Sequence, residues 1–260
     1  MKKSSSQKKW NEFWDRKQNV DKVYSNENRI LVNLKKTIDL KGKRILEVGA
    51  GTGRDSFAMS EEGAIVYVLD YSPPAVKIIQ DLNEHVDHRI SPILGDTFSI
   101  PARDGSFDIV YHQGLLEHFD DPIELLKENA RVLKDNGLLL IDVPQRYHYY
   151  TLIKHFLIWI NKWFAGWETE FSIGELTRLT ESLGLVVIHK YGDWKRPSVF
   201  YRIVRELFLK LHVSIPLYPK TFGPVQKVRE FVREAFRKTK ISFYTYLDIG
   251  VIARKKNHEL

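Results

Sequence analysis

Residues 44–55 read R-I-L-E-V-G-A-G-T-G-R-D. A carboxylate at Glu47 precedes three glycines at alternate positions, Gly49, Gly51 and Gly53, with Ala50 and Thr52 between them. Small residues at this spacing let a ligand come close to the main chain, and a helix N-terminus beyond them favours electron-rich groups. Phosphate is the first ligand to consider, and the spacing argues against it. A phosphate loop carries Lys and Ser or Thr after its last glycine, where Arg54 and Asp55 stand here. A dinucleotide fingerprint sets its third glycine one position later. The Glu47 carboxylate would repel a pyrophosphate and attract a sulfonium or an amino group.

Other groups capable of chemistry close later apolar runs. Asp70 ends A-I-V-Y-V-L-D (64–70) and is followed by Tyr71; Asp96 ends I-S-P-I-L-G-D (90–96) and is followed by Thr97. F-D-I-V-Y-H (107–112) ends on His112, with Gln113 next and Glu117 and His118 shortly after. Histidine takes a proton near neutral pH, so His112 and His118 are candidate general bases. The alternatives are that His112 bonds a bound ligand or is structural, and that His118 caps a turn.

These residues must be held by regular elements, and the chain supplies them in alternation. Apolar runs with strand character occupy 44–48, 64–70, 90–96, 107–112, 136–144, 185–191 and 243–253. Helical patterns lie between them: Ile30, Leu31, Leu34 and Ile38 before Gly42, then 55–62, a Ser72–Pro73 start, and 122–134 with Leu125, Leu126, Ala130 and Leu133 on one face. Ser172 stands at capping-box spacing from Glu175, opening a helix to Leu183. Strands alternating with helices of about ten residues predict βαβ units and a mostly parallel sheet covered on both faces. Pro92 places the third strand at an edge. In such sheets ligands bind beyond the carboxyl ends of the strands, where the glycine loop, Asp70, Asp96 and His112 all fall.

Five of these segments, in this order, resemble the class I S-adenosylmethionine-dependent methyltransferases: E-V-G-A-G-T-G (47–53), Asp70 at the second strand end, G-D (95–96), F-D-I-V-Y-H-Q-G-L-L-E-H-F (107–119) and R-V-L-K-D-N-G-L-L-L-I (131–141). The resemblance covers about residues 40–145, and 171–185 more weakly. It implies a Rossmann-like, doubly wound sheet of seven strands with the last antiparallel, and S-adenosylmethionine as cofactor. The Gly49–Gly53 backbone, Ala50 included, would contact the methionine part and Glu47 would stand beside it. Asp70 would accept from the ribose hydroxyls and Asp96 from the adenine amine. Tyr71 and Thr97 would flank the adenine, and His112 and Gln113 would complete the site. The implied activity is direct methyl displacement onto oxygen, nitrogen or carbon of a small or amphipathic acceptor, lipid-like or anionic among the options. The alternatives are an RNA or protein methyltransferase and a cofactor-binding protein without turnover. Trp14, Arg16 and Tyr24 are candidates for an N-terminal cover.

The divisions expected are a helical cover (1–43), a cofactor-binding core (44–145), an aromatic helical insertion (146–171), a core helix and strand (172–192), a basic helical insertion (193–242) and a last strand with its tail (243–260). The 146–164 stretch is apolar around most of a helix, with Lys154, His155 and Lys162 between. It is expected over the substrate mouth, with a dimer interface or a membrane-surface contact as alternatives. Between Lys195 and Lys240 stand twelve basic and three acidic residues, against +7 for the whole chain of 260. Phe200, Ile203, Val204, Leu207, Phe208 and Leu211 form one helical stripe, and Val225, Val228, Phe231, Val232 and Phe236 another. Two helices packed by these stripes, with solvated basic faces, are expected; an anionic partner is the sharper alternative. Nucleic acid ranks below a small molecule or lipid, since no RNA-binding module is visible and H-Q-G-L (112–115) stands where an N-P-P-Y tetrad would be. The absence of cysteine removes disulfides and thiolate zinc sites, and no metal site is expected. The N-terminus lacks a signal-peptide apolar core and no stretch reaches the ~20 apolar residues of a bilayer span, so a cytoplasmic location is expected.

Overall fold

The computed structural model describes residues 6–16, 28–163, 165, 167–194, 197–219 and 223–257. Seven strands form one sheet in the order β3-β2-β1-β4-β5-β7-β6. They are β1 (Arg44–Val48), β2 (Ile65–Asp70), β3 (Ser91–Leu94), β4 (Phe107–Gln113), β5 (Leu133–Pro144), β6 (Leu185–Asp193) and β7 (Asp248–Lys255). The first five are parallel; β7 runs antiparallel to both its neighbours, β5 and β6. The Rossmann-like architecture expected from the sequence is therefore present. Pro92 lies on the edge strand β3, where its missing N–H leaves no gap in an inner ladder.

The continuous apolar runs are explained by burial on both faces. Adjacent residues of β1 enter different layers. Leu46 packs with Val110, Leu125, Leu139 and Val251, whereas Ile45 packs with Ile30, Met59, Ile79 and Ile109. Helices α2 (Arg29–Leu34), α3 (Arg54–Glu61) and α4 (Pro73–Asn83) serve the second layer; α5 (Ile123–Val132) and α7 (Ile173–Glu181) serve the first. Helix α7 starts on the expected capping box, with Ser172 Oγ accepting from Glu175 N–H and the Glu175 carboxylate accepting from Ser172 N–H. From β1 the chain winds outward to β3, then returns to β4 on the other side of β1. The loops after β1 and β4 part at this reversal, which opens a crevice at their carboxyl ends.

Within the stretch expected as a helical cover, the aromatic patch at 10–14 lies on a helix, α1 (Gln7–Arg16). Two regions differ from expectation. The strand expected from 243 begins only at Asp248, and Lys240–Tyr244 make a 3-10 turn. Just ahead of the strand, Tyr246 is buried in the core against Trp194 and Phe243. The helices α6 (Tyr149–Trp159), α8 (Val199–Lys210) and α9 (Gly223–Arg237) form; α6 and α8 turn polar residues inward, while α9 is exposed over most of its length and packs Phe236 on Trp194. In α6 the buried positions are Thr151 and Lys154, while Leu152, Phe156 and Trp159 are exposed. In α8, Arg202 and Arg205 are half-buried and donate to the Pro197 and Ile215 carbonyls. Phe200, Leu207 and Leu211 face outward instead. The expected packing of the apolar stripes is thus corrected in part: in α6 and α8 polar groups on the inner faces find main-chain or carboxylate partners, and most of each stripe is exposed, Val204 and Phe236 being half-buried and the Val225 side chain lying outside the described residues.

Candidate active site

Gly49, Gly51 and Gly53 have φ of 70°, 55° and 64°, a left-handed backbone that a side chain would strain. The turn is tied down from below. Gly49 N–H donates to the Leu69 carbonyl at 2.7 Å, and Asp70 receives Gly51 N–H at Oδ2 and Ser72 N–H at Oδ1, both at 2.9 Å. Asp70 is thereby the clamp of the loop as well as a carboxylate facing the crevice. Burial lifts its pKa above the usual range, opposed by the N–H groups of Gly51, Ser72 and Tyr71.

The loop borders a cavity of about 440 Å³. Gly49, Ala50, Gly51, Asp70, Tyr71, Asp96, Thr97, Gln113 and His118 all line it, so the structure brings together most of the expected residues. Helix α1 covers it from outside through Trp10, Phe13 and Trp14. Trp14 lies so close that a Cβ on Gly51 would stand 2.5 Å from its ring. Of the other expected cover residues, Tyr24 and the Arg16 side chain lie outside the described residues. Main-chain approach at the loop, carboxylates at Asp70 and Asp96, and a ring at Tyr71 match a nucleoside carrying an amino-acid tail, and the volume suits one.

Three expected residues are elsewhere. Glu47 is buried under the loop, where Ser56 Oγ donates to its Oε2 at 2.6 Å and shares a second bond of 2.8 Å with the Tyr111 hydroxyl. Burial pushes its pKa up to about 8, opposed by the hydrogen bonds from Ser56 and Tyr111. The α-carbon of Gly53 faces Ile90 and Ile79, so it serves the packing of α3 and α4 on the sheet. His112 is fully buried, neither ring nitrogen has a hydrogen-bond partner among the described residues, and burial lowers its pKa to about 3. It is neither in the cavity nor a proton acceptor near neutral pH.

Beyond the loop the cavity has a second, polar lobe. His118 packs edge-on to Trp10, with ring centres 4.8 Å apart, and its Nδ1 is 3.9 Å from Glu168 Oε1. Burial and the nearby Lys154 lower its pKa to about 4, so the imidazole is neutral. Lys154, buried on the inner face of α6, reaches Glu168 Oε2 at 3.2 Å and Glu170 Oε1 at 2.8 Å. Glu117 Oε2 is buried without a hydrogen-bond partner; burial and the Glu168 carboxylate raise its pKa well above the usual range. Asp248 lines the same lobe and is bridged through Arg29 to Asp142. Lys154, Glu168 and Asp248 escaped the sequence reading because they come from three separate segments. The one available signal was a lysine set among apolar residues in 152–164.

Among proteins of known relationship, a family model described as a methyltransferase domain matches residues 46–141. A ubiquinone biosynthesis O-methyltransferase of Xanthomonas oryzae pv. oryzae is 34% identical over 113 residues, 42% of this chain and 46% of that protein. The protein of the same name from Coxiella burnetii is 29% identical over 169 residues, 63% of this chain and 72% of the relative. The chain thus spans about half the length of the first of these relatives. Haemonchus contortus phosphoethanolamine N-methyltransferase 2, solved with S-adenosyl-L-methionine, superimposes with a TM-score of 0.63 at 18% identity, over 95% of this chain and 60% of that one. At that identity the likeness concerns the fold.

Proposed function

We propose that this chain, which belongs to the class I S-adenosylmethionine-dependent methyltransferases, methylates a hydroxyl oxygen of a small amphipathic acceptor held in the polar lobe. The observation that carries the reading is that the Asp70-clamped glycine loop and the Glu117–His118 wall border one cavity. The O-methyltransferase names of the partial relatives support oxygen as the receiving atom. When bound, the cofactor supplies a methyl group already activated by its sulfonium. The Gly49–Gly51 main chain and Asp70 would hold its amino-acid and ribose parts; Tyr71, Asp96 and Thr97 would hold the base.

What remains for the protein is to orient the acceptor and to exclude water from the reacting atoms. Trp10, Phe13 and Trp14 close the cavity from outside. Glu117, whose pKa burial raises well above the usual range, donates a hydrogen bond to the acceptor; His118, with a pKa lowered to about 4, is too weak a base to take the hydroxyl proton and serves as a wall that orients the acceptor, the proton passing to solvent. Lys154 fixes Glu168 and Glu170 and keeps their charges off the reacting centre. A nitrogen acceptor is the second reading, favoured by the carboxyls of Glu117, Glu168 and Asp248 around the single lysine of the lobe.

The deciding experiment is transfer of radiolabelled methyl from S-adenosylmethionine into fractionated extracts, followed by paired assays on hydroxyaromatic and primary-amine acceptors. Label in neither class would remove the reading. Glu117→Leu, which has no donor, should leave S-adenosylhomocysteine affinity within about twofold and cut turnover by roughly tenfold or more, as expected for one lost hydrogen bond to a reacting ligand, while Glu117→Gln, whose amide still donates, should keep most of the rate. Unchanged turnover in Glu117→Leu would clear Glu117 of that role. His112→Leu makes the opposite case. An unpartnered buried imidazole replaced by an apolar side chain of similar size should leave the rate, the pH–rate profile and the melting temperature close to wild type. A shifted pH profile would return His112 to the mechanism.

A further inference from the structure

Helices α6, α8 and α9 carry large apolar side chains that stand exposed among the described residues. Leu152 and Trp159 of α6 are 75% and 78% exposed, Phe200 of α8 is 72% exposed and Phe231 of α9 is 76% exposed. Each belongs to a stripe at helical spacing: Leu152, Phe156 and Trp159; Phe200, Ile203, Leu207 and Leu211; Val228, Phe231 and Val232. The first residue of α6, Tyr149, the N-cap of α8, Ser198, and Val232 and Phe236 of α9 border one groove. Scattered apolar residues on a surface are ordinary, but stripes on three neighbouring helices mark an interaction face.

The charges around the stripes select the partner. Lys210, Lys227, Arg229, Lys238 and Lys240 are exposed beside them, in a segment of twelve basic and three acidic residues. A second copy of the chain, related by a two-fold axis, would bring this segment against itself, and like charges would repel. An anionic bilayer offers acyl chains to the stripes and headgroups to the lysines at once. Among the described residues no helix is long and apolar enough to cross a membrane, so attachment by these helices lies in the interface.

We infer that this face docks peripherally on an anionic lipid bilayer, with α8 and α9 in the interfacial plane and the outer side of α6 beside them. The inference is independent of which acceptor is methylated. The test is co-sedimentation of the full chain with phosphatidylcholine vesicles, with or without phosphatidylglycerol. Binding should be roughly tenfold tighter with phosphatidylglycerol and should fall as salt is raised. Trp159→Ser combined with Phe231→Ser should weaken it about tenfold, and Lys227→Glu with Arg229→Glu should remove the lipid preference. S-adenosylhomocysteine titration of each variant checks that the site is intact, and the charge variant, changed only at exposed positions, serves if the apolar one does not fold. Failure to sediment at low salt, equal binding to both vesicles, or a dimer in sedimentation velocity that the apolar variant dissociates would each overturn the inference.

Discussion

Asp70→Ala is expected to weaken S-adenosylhomocysteine binding by on the order of 100-fold, the largest effect on the ligand from any single truncation in the cavity. The buried carboxylate receives Gly51 N–H and Ser72 N–H at 2.9 Å each while bordering the cavity. Alanine removes both clamps and the ligand-facing charge together. Hydrogen bonds to a charged group contribute about 1.5–3 kcal/mol apiece, and a loss near 3 kcal/mol corresponds to two decades in Kd. Isothermal titration calorimetry measures it directly. Asp70→Asn should fall between, because the amide keeps one acceptor and turns a donor toward the other N–H. A change under threefold in Asp70→Ala would show that the loop holds its shape without the carboxylate and that no ligand contact depends on it.

The largest effect on stability is expected from Arg29→Ala, a loss of about 3–5 kcal/mol, the range for breaking a buried ion pair from one side. Arg29 of α2 presents Nε and Nη2 to the two oxygens of Asp142 on β5, at 3.0 and 2.7 Å, and Nη1 to Asp248 on β7 at 3.1 Å. All three residues are buried, so the variant strands two carboxylates in the interior. The pH dependence has a definite sign. Burial already holds Asp142 above the usual carboxylate range despite Arg29. Without the guanidinium its folded-state pKa rises further, so its ionisation destabilises the fold at high pH and the penalty is relieved as pH falls through that value. Urea melts should therefore show a smaller deficit at about pH 5 than at about pH 8. A deficit that stays below about 1 kcal/mol at either pH would mean that the pair is replaceable by water.

Much of the fold was legible because its signals are local. Both-face burial writes β1, β2 and β4 as unbroken apolar runs, Gly63 and Ser72–Pro73 mark where helices stop and start, and the Ser172–Glu175 box appears as read. The site was legible in its positions along the chain but not in its directions. The rule that ligands lie beyond strand ends names Glu47 and His112 without saying which face each side chain takes. Glu47 pairs in register with Tyr111, so the two point to one side and meet Ser56 there. His112, the next residue along β4, points to the other side and into the core. The packing of α6 and α8 was missed for a related reason: periodicity locates a stripe, and only tertiary structure decides which way it faces. Nothing in the composition of α6 announces that Lys154 will find Glu168 and Glu170 inside while Leu152 is left outside.

That arrangement of α6 has a kinetic consequence. Its inner side, with Thr151 and Lys154, is a wall of the cavity in which the acceptor is proposed to sit, and its outer side belongs to the proposed docking face. The two are separated by one helix, about 10 Å across. For an enzyme resting on a bilayer with its acceptor dissolved in the same layer, the encounter is two-dimensional. Its rate then follows the mole fraction of acceptor in the lipid, so adding inert lipid at constant total acceptor slows turnover, and adding water does not.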